Sequence, residues 1–350
     1  MPDLLQLRIR RIIPQTPEAA TFEFETTAGT PLSYRPGQFL TLLVTVNGRE
    51  LRRSYSFSST PGIDPFPAVT VKRVANGEVS RHLLTHWREG DVVTALPPAG
   101  RFTSDSSPEA PRDVFLVGAG SGVTPLFSLL KALLRDEPNS RITLIYSNRN
   151  EHTALFWREI NALTETHANL TTIHLLSDPT PATRHYLGRL NIGLLEQLVT
   201  GHLHFDRDRA EFYVCGPFPY MRMVRMTLVF MKFREEQIHR ENFVVEALSA
   251  ARQPPPHDPS PRRVTLHVGK RTYQLVVPGN RTILQVALEY DVPLPYSCLG
   301  GVCSTCSAVC TEGVVRMTLN EVLTARDLAA GWVLTCVGYP DSEAVTLRIP

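Results

Sequence analysis

Four cysteines near the C-terminus have the spacing of iron–sulfur ligands. Cys298, Cys303 and Cys306 follow the pattern C-x4-C-x2-C, and Cys336 stands thirty residues further along. Four thiolates at this spacing hold a [2Fe–2S] cluster, which exchanges one electron at a time. Structural zinc loops usually pair their cysteines as two C-x2–4-C units, so a zinc ion is the less favoured alternative. The spacing predicts a one-electron redox centre.

Two glycines and a further cysteine lie in the same region. Gly300 and Gly301 lack a Cβ atom, so the backbone there can fold tightly around a cluster and direct N–H groups at its sulfurs. Cys310 lies in the alternating run Ala308-Val309-Cys310, where a small hydrophobic residue of a strand is the better interpretation. We therefore exclude Cys310 from the predicted ligands.

Two short motifs in the first third of the chain predict ring and phosphate binding. Arg53-Ser54-Tyr55-Ser56 lies on a predicted strand, and Gly77-Glu78-Val79-Ser80 precedes a predicted helix. An arginine pairs with a diphosphate, a tyrosine stacks on an isoalloxazine ring, and the N–H groups of a helix start receive a phosphate. For Tyr55, an ordinary half-buried strand aromatic is the alternative.

A glycine loop follows an apolar strand and precedes a helix. Its sequence, Gly118-Ala119-Gly120-Ser121-Gly122-Val123-Thr124-Pro125, places backbone N–H groups and a helix dipole where a pyrophosphate is bound. Val123 replaces the third glycine of G-x-G-x-x-G, which disfavours a standard Rossmann dehydrogenase. We predict nucleotide contacts for Gly118, Gly120 and Thr124, with a tight turn that binds nothing as the alternative.

The elements that must position these residues change pattern along the chain. From about residue 4 to 102, short β-rich runs at 21–25, 39–46, 54–58, 69–74 and 91–95 predict a small antiparallel barrel, with one helix after Ser80. Beyond Asp113, buried strands alternate with helices, which predicts a doubly wound parallel sheet. A proline-rich linker at 249–262 separates this sheet from a C-terminal domain.

Four motifs follow one another along the chain: Arg53-x-Tyr55-Ser56, Gly77-x-x-Ser80, the glycine loop and Cys215-Gly216-Pro217. In this order they resemble the ferredoxin–NADP reductase superfamily over about residues 4–248. The resemblance implies an FAD-binding β-barrel domain at 1–110 and an NAD(P)-binding domain at 111–248. It also implies that the Arg53 and Ser80 side chains hold the flavin diphosphate, with Gly77 and Val79 in the same loop.

The same resemblance implies which residues surround the reacting rings. Tyr55 would pack on the flavin, Ser56 would lie near flavin N5, and Cys215 near the nicotinamide. Glu241 and Phe243 match the acidic–aromatic pair that closes the flavin site. Ser56, Cys215 and Glu241 are therefore the candidate catalytic residues, because they would position the nicotinamide against the flavin.

The cysteine region resembles a plant-type ferredoxin, which implies an α+β domain of the β-grasp class at 263–350. The resemblance rests on Tyr296-Ser297-Cys298 through Cys306, on Glu312-Gly313, and on Val333-Leu334-Thr335-Cys336. Leu299 departs from the pattern, because related domains often carry a polar or basic residue there. This departure bears on cluster exposure or partner docking and not on ligation.

NADPH is the predicted reductant. Ser147-Asn148-Arg149 follows the second strand of the nucleotide domain, at the edge where the adenosine ribose binds. NADH-selective sites commonly have a carboxylate there, whereas Arg149 can pair with a 2′-phosphate. An ordinary surface arginine is the alternative.

Three features are a reductase with a tethered ferredoxin, the Gly100-Arg101-Phe102 turn and the segment 331–336. With these features the chain resembles reductase components that serve oxygenases of aromatic and steroid compounds. This implies electron transfer to a separate oxygenase. One alternative is the phthalate dioxygenase reductase type, which has the same domain order but uses FMN and NADH. The other is a non-enzymatic flavin and iron–sulfur redox sensor.

Composition excludes other classes of function. The formal net charge of +2 gives no reason to predict nucleic acid or an anionic membrane as a partner. The N-terminal residues lack the apolar h-region of a signal peptide. We therefore expect a cytoplasmic protein without a membrane partner.

Overall fold

The computed structural model describes residues 4–105, 109–243 and 253–350. The chain divides into two compact units. One comprises residues 5–51 and 55–241, and the other comprises residues 52–54 and, with Leu4, the described residues after 241. No helix in the described part of the chain is long and apolar enough to cross a membrane. The predicted boundary at 248/249 lies outside the described residues.

The N-terminal domain is a six-stranded antiparallel sheet with one helix, α1 (Glu78–His86). The sheet has the order β4-β3-β6-β1-β2-β5, and an isolated bridge between Phe57 and Val69 links its two ends into a barrel-like form. Its strands are β1 (Leu5–Thr16), β2 (Ala19–Thr26), β3 (Phe39–Val46), β4 (Arg49–Ser56), β5 (Ala68–Lys72) and β6 (Val92–Ala95).

Alternation of apolar and polar residues explains this barrel. In β1, Leu7 and Ile9 are fully buried while Arg8 and Arg10 face solvent, as the two-residue period of a strand requires. The turn between β3 and β4 has Asn47 and Gly48, both at positive φ (52° and 75°). Such a two-residue turn matches the twist of a hairpin.

The nucleotide domain is a parallel sheet in the order β11-β10-β7-β8-β9. Its strands are β7 (Asp113–Ala119), β8 (Arg141–Asn148), β9 (Leu170–Leu176), β10 (Ala210–Cys215) and β11 (Ile238–Glu241). Its helices are α2 (Val123–Asp136), α3 (Trp157–Thr166), α4 (Ile192–Gly201) and α5 (Phe218–Phe230). Every residue of β7 is buried, because α2 and α3 cover one face of the sheet while α4 and α5 cover the other.

The barrel and the nucleotide domain are joined by direct contacts within their common unit. The Thr60 hydroxyl donates to the carbonyl of Ser128 at 2.8 Å, and the Ser128 hydroxyl donates to the carbonyl of Ser59 at 2.6 Å. A largely buried ion pair joins Lys131 of α2 to Asp64. Side chains of both domains also share one apolar cluster.

The C-terminal domain has its own sheet in the order β13-β12-β18-β14-β16, a two-stranded sheet of β15 and β17, and two helices, α6 (Ile283–Glu289) and α7 (Ala325–Ala329). Its strands are β12 (Pro261–Val268), β13 (Arg271–Pro278), β14 (Ser307–Glu312), β15 (Val315–Met317), β16 (Trp332–Leu334), β17 (Gly338–Pro340) and β18 (Ala344–Ile349). Thr282 caps α6 by accepting a hydrogen bond from the backbone N–H of Gln285 at 3.2 Å.

The three predicted fold classes are confirmed, but several element bounds differ. Helix α1 begins at Glu78, before the predicted position after Ser80. Strand β4 covers 49–56 where 54–58 was expected. Strand β12 begins at Pro261, inside the predicted linker, because proline is tolerated at the first residue of a strand.

Candidate functional site

Three predicted site residues lie in one row at the carboxyl edge of the parallel sheet. Glu241, the last residue of β11, pairs in register with Cys215 of β10, and Cys215 pairs with Gly118 of β7. Ligands of open α/β sheets bind at this edge. The row brings the glycine loop, the thiol and the carboxyl group to adjacent strand ends.

Ser56 joins this row from the barrel. Its hydroxyl donates a hydrogen bond to Oε2 of Glu241 at 2.7 Å, and both side chains are buried. Burial raises the pKa of Glu241 to about 8. The carboxyl group is therefore neutral below that pH, when it has a proton to donate.

Cys215 is fully buried beside this carboxyl group. Burial, and secondarily the charge of Glu241, raise the pKa of the thiol well above its ordinary value. A thiol that stays protonated is a poor nucleophile. The structure therefore favours a packing role for Cys215 and disfavours covalent catalysis.

The glycine loop packs tightly against the end of β10. A Cβ atom at Gly122 would overlap the carbonyl oxygen of Cys215 and lie 2.7 Å from the amide nitrogen of Gly216. Gly120 has a φ of 57°, and the space where its Cβ would lie is open. Gly216 in turn leaves room for Ala119, since an added Cβ would lie 3.1 Å from the Ala119 Cβ. Pro217 then starts α5 as its N-cap.

Two of the predicted nucleotide residues mainly support the loop. A Cβ at Gly118 would lie 2.8 Å from a methyl group of Leu126, so this glycine permits close strand–helix packing. Thr124 is buried, and its hydroxyl donates to the carbonyl of Ser121 at 2.9 Å. These contacts order the backbone of the glycine loop.

Tyr220 is a site residue that sequence reasoning missed. Its hydroxyl donates to the carbonyl of Gly118 at 3.2 Å and lies 3.4 Å from the hydroxyl of Ser147. Tyr220 thus contacts the ends of both β7 and β8 at the candidate site. The partners are distant in sequence, so no local motif marks this residue.

Arg149 lies just beyond the carboxyl end of β8, an inner strand of the sheet. Its Nε is 3.3 Å from Oδ2 of Asp178, and the two side chains are 74% and 65% exposed. An exposed pair of this kind contributes little stability. The guanidinium is therefore available to a phosphate, although a carboxylate stands beside it.

The candidate flavin-phosphate loop stands at the start of α1. Gly77 is the N-cap and provides no side-chain cap for the helix N–H groups, and Val79 is buried. The Ser80 hydroxyl accepts from the N–H of Val74 at 3.1 Å and lies 3.5 Å from the carbonyl of Gly77. Ser80 therefore shapes the loop, and the uncapped helix start is suited to a phosphate.

The remaining predicted flavin residues have mixed placements. Arg53 is exposed, and its guanidinium donates to the carbonyl of Arg52 at 2.8 Å. Tyr55 is half-buried and packs against the barrel core. Phe243 is 43% exposed and belongs to the unit that contains the C-terminal domain.

The four predicted cluster cysteines interact with one another. Hydrogen bonds from the thiols of Cys303 and Cys336 lower the pKa of Cys298. A hydrogen bond from the thiol of Cys336 likewise lowers the pKa of Cys306. In the described residues no three His, Cys, Asp or Glu side chains converge on one metal-ion position. The four interacting thiols have the number and type of ligands that a [2Fe–2S] cluster requires.

The backbone of the cysteine loop supports this fit. The N–H of Gly300 donates to Sγ of Cys298 at 3.4 Å. Gly301 has a φ of 77°, and a Cβ there would lie 2.8 Å from the carbonyl oxygen of Leu319. Leu299 also has a positive φ, 56°, and is 52% exposed. Cys310 lies apart on β14 and donates to the carbonyl of Glu312 at 3.3 Å.

Comparison with known proteins identifies the domains. Family models match as "Oxidoreductase FAD-binding domain" at residues 6–104, "Oxidoreductase NAD-binding domain" at 116–226 and "2Fe-2S iron-sulfur cluster binding domain" at 266–341. The ferredoxin reductase component of 3-ketosteroid-9-alpha-monooxygenase from Mycobacterium tuberculosis is 31% identical over 98% of this chain and 95% of that protein. The chain belongs to the family of FAD-, NAD- and 2Fe-2S-binding reductases.

One further relative of this reductase and one solved structure match over nearly their whole lengths. One subunit of 1,2-phenylacetyl-CoA epoxidase from Escherichia coli is 31% identical over 97% of this chain and 96% of that protein. The structure of phthalate dioxygenase reductase has the same fold, with a TM-score of 0.61 and 24% identity over 99% and 98% of the two chains. The predicted cofactors FAD, nicotinamide nucleotide and [2Fe–2S] are confirmed, and the reductase is an NAD(P)H oxidoreductase.

The raised pKa of Glu241 predicts a pH-dependent stability. Because the folded-state pKa of about 8 exceeds the ordinary value of 4.5, the stabilising contribution is full below the lower value and is lost as the pH rises through the higher one. The resulting loss of unfolding free energy is on the order of 5 kcal/mol at most. We expect the thermal midpoint of the wild-type protein to decrease as the pH is raised from 5.5 to 9.

The Glu241→Gln variant is the matched test, because its amide oxygen still accepts from Ser56 but does not titrate. Its thermal midpoint should fall less over the same pH range and should exceed that of the wild type at pH 9. Parallel curves for the two proteins would show that another group causes the pH dependence.

Proposed function

We propose that the protein transfers hydride from NADPH to FAD and then single electrons, through its [2Fe–2S] cluster, to a separate oxygenase component. The observation that carries the proposal is the row of Glu241, Cys215 and Gly118, with Ser56 bound to its carboxyl end. Bound NADPH, FAD and cluster supply the conversion of a hydride into single electrons.

The chain's own residues have positioning roles in this proposal. The uncapped start of α1 and the Arg53 guanidinium hold the flavin diphosphate, and Tyr55 packs on the flavin ring. The glycine loop, with Gly216 and Pro217, receives the nucleotide. Ser56 and the neutral carboxyl group of Glu241 provide polar contacts at the reacting edge, whereas the buried Cys215 thiol provides an apolar one.

The acceptor is proposed as an oxygenase because the chain resembles reductase components of such systems along its whole length. By their names, the two relatives are components of a 3-ketosteroid monooxygenase and of a 1,2-phenylacetyl-CoA epoxidase. An aromatic or steroid degradation pathway is therefore the proposed context. We place the protein in the cytoplasm, where thiols remain reduced. A redox sensor is the second candidate, and slow reduction by NADPH would favour it.

The deciding experiment is an anaerobic NADPH titration of the purified protein, followed by visible absorption, with the released flavin identified by chromatography. We expect FAD, bleaching of both flavin and iron–sulfur bands, and an uptake of about three electrons per chain. Absence of flavin, or a cluster that stays oxidised while NADPH is consumed, would overturn the internal relay.

Arg149 provides a test of coenzyme choice. The Arg149→Ala variant should raise the KM for NADPH about tenfold, the effect of losing one charge-assisted phosphate contact, while the KM for NADH changes little. Arg158→Ala removes an exposed arginine of α3 and serves as the control. An equal change for both coenzymes would rule out the phosphate contact. A wild-type preference for NADH would indicate that the neighbouring carboxylate of Asp178, and not Arg149, determines the choice of coenzyme.

A further inference from the structure

The loop that precedes the first cluster cysteine is held by a short segment from the middle of β4. Residues 52–54 belong to the same compact unit as the C-terminal domain. Within this unit, the Ser54 hydroxyl donates to the hydroxyl of Ser297 at 2.9 Å. Ser297 is bonded directly to Cys298, so this hydrogen bond acts on the backbone next to a predicted cluster ligand.

A second contact is adjacent to the first. The guanidinium carbon of Arg52 lies 4.1 Å from the centre of the Tyr296 ring, within the range of a cation–π interaction. Arg52 and Ser54 are two residues apart in the strand, and their partners Tyr296 and Ser297 are consecutive. Two different kinds of interaction thus fix the same loop to the same strand segment.

The strand has a second set of residues that alternates with these two. Successive side chains of a strand point to opposite faces, so Arg52 and Ser54 share one face of β4 while Arg53 and Tyr55 share the other. The proposed function assigns Arg53 and Tyr55 to the flavin. The covalent backbone of β4 therefore connects the residues that bind the cluster loop to those that bind the flavin.

We propose that Arg52 and Ser54 are positioning residues for electron transfer from the flavin to the cluster, which they serve by fixing the loop of Tyr296 and Ser297. This inference rests on the proposed function. When bound, FAD would take up the two electrons of the hydride and release them one at a time, and the [2Fe–2S] cluster would accept only one of them. The separate acceptor protein would therefore have to reoxidise the cluster before the second electron could follow.

The kinetic test uses stopped-flow absorption of the holoprotein mixed anaerobically with NADPH. Ser54→Ala should slow cluster reduction about fivefold, a change within the range of one lost hydrogen bond, while flavin content and the rate of flavin reduction stay at wild-type values. Ser297→Ala should slow it equally, and the double variant should be no slower than either single variant. Additive effects, or an unchanged cluster rate, would overturn the proposal.

The ring contact has its own variants. Arg52→Gln removes the cation and should slow cluster reduction, whereas Tyr296→Phe keeps the ring and should leave the rate as it is. Hydrogen–deuterium exchange gives a measurement independent of turnover. In Ser54→Ala we expect faster exchange at residues 52–54 and 296–298, and unchanged exchange in both segments would contradict the contact.

Failure of the proposed function would give a different result from failure of this inference. A wild-type protein without flavin, or one whose cluster is not reduced at all, would refute the relay itself. A working relay with a normal cluster rate in Ser54→Ala would refute only the positioning role.

Discussion

The Cys303→Ser variant should lose the [2Fe–2S] cluster completely and retain NADPH oxidation with a dye that accepts electrons from the flavin. Cys303 shares a hydrogen bond with Cys298 inside the group of four thiols, and a cluster of this type requires all four ligands. The flavin and nucleotide residues belong to other domains. Reduction of an acceptor that depends on the cluster should therefore disappear, whereas reduction of ferricyanide continues.

Cys310→Ser is the matched control, because Cys310 is a half-buried cysteine of the same domain whose thiol donates to backbone carbonyls. Visible absorption and iron content measured on both variants separate the two outcomes. We expect wild-type iron content in Cys310→Ser and none in Cys303→Ser. Loss of dye reduction in Cys303→Ser would show that the cluster is needed before the flavin can be reduced.

The Gly122→Ala variant should lose most of its hydride transfer. Its new Cβ would overlap the backbone carbonyl of Cys215, so either the glycine loop or the end of β10 must move. A displacement of about 1 Å at reacting groups lowers rates about 100-fold. Stopped-flow measurement of flavin reduction by NADPH should show a loss of this order.

Gly193→Ala is the control for this substitution. Gly193 lies in α4, its added Cβ would meet nothing closer than 3.8 Å, and its φ is not in the positive region. It should keep the wild-type rate, since alanine is favoured in a helix. A normal rate in Gly122→Ala would mean that the contact between the glycine loop and Cys215 does not position the nucleotide.

Local patterns were sufficient to predict much of this protein. The cysteine spacing predicted the [2Fe–2S] domain, and the β-rich run at 39–46 predicted β3 with its observed bounds. Both depend on residues close together in sequence. The alternation of buried strands and helices likewise predicted the parallel sheet, because each strand of such a sheet is apolar on both faces.

Long-range geometry was not predictable in this way. β11 has only four residues, too few for a periodic signal, and its register with β10 places Glu241 beside Cys215. The hydrogen bond from Ser56 to Glu241 joins residues 185 positions apart. The resemblance assigned roles to these residues, but the neutral carboxyl group follows from a burial that only the fold produces.

The distribution of apolar clusters has an evolutionary consequence. The apolar cluster of the C-terminal domain is formed by residues between Val264 and Ile349. A different apolar cluster contains side chains of both the barrel and the nucleotide domain. A gene break before β12 would leave each of these two apolar clusters within one product, while a break between the first two domains would divide the cluster that they share. We expect natural recombination and laboratory fusion to exchange the ferredoxin as a cassette and to inherit the flavin and nucleotide domains as a pair.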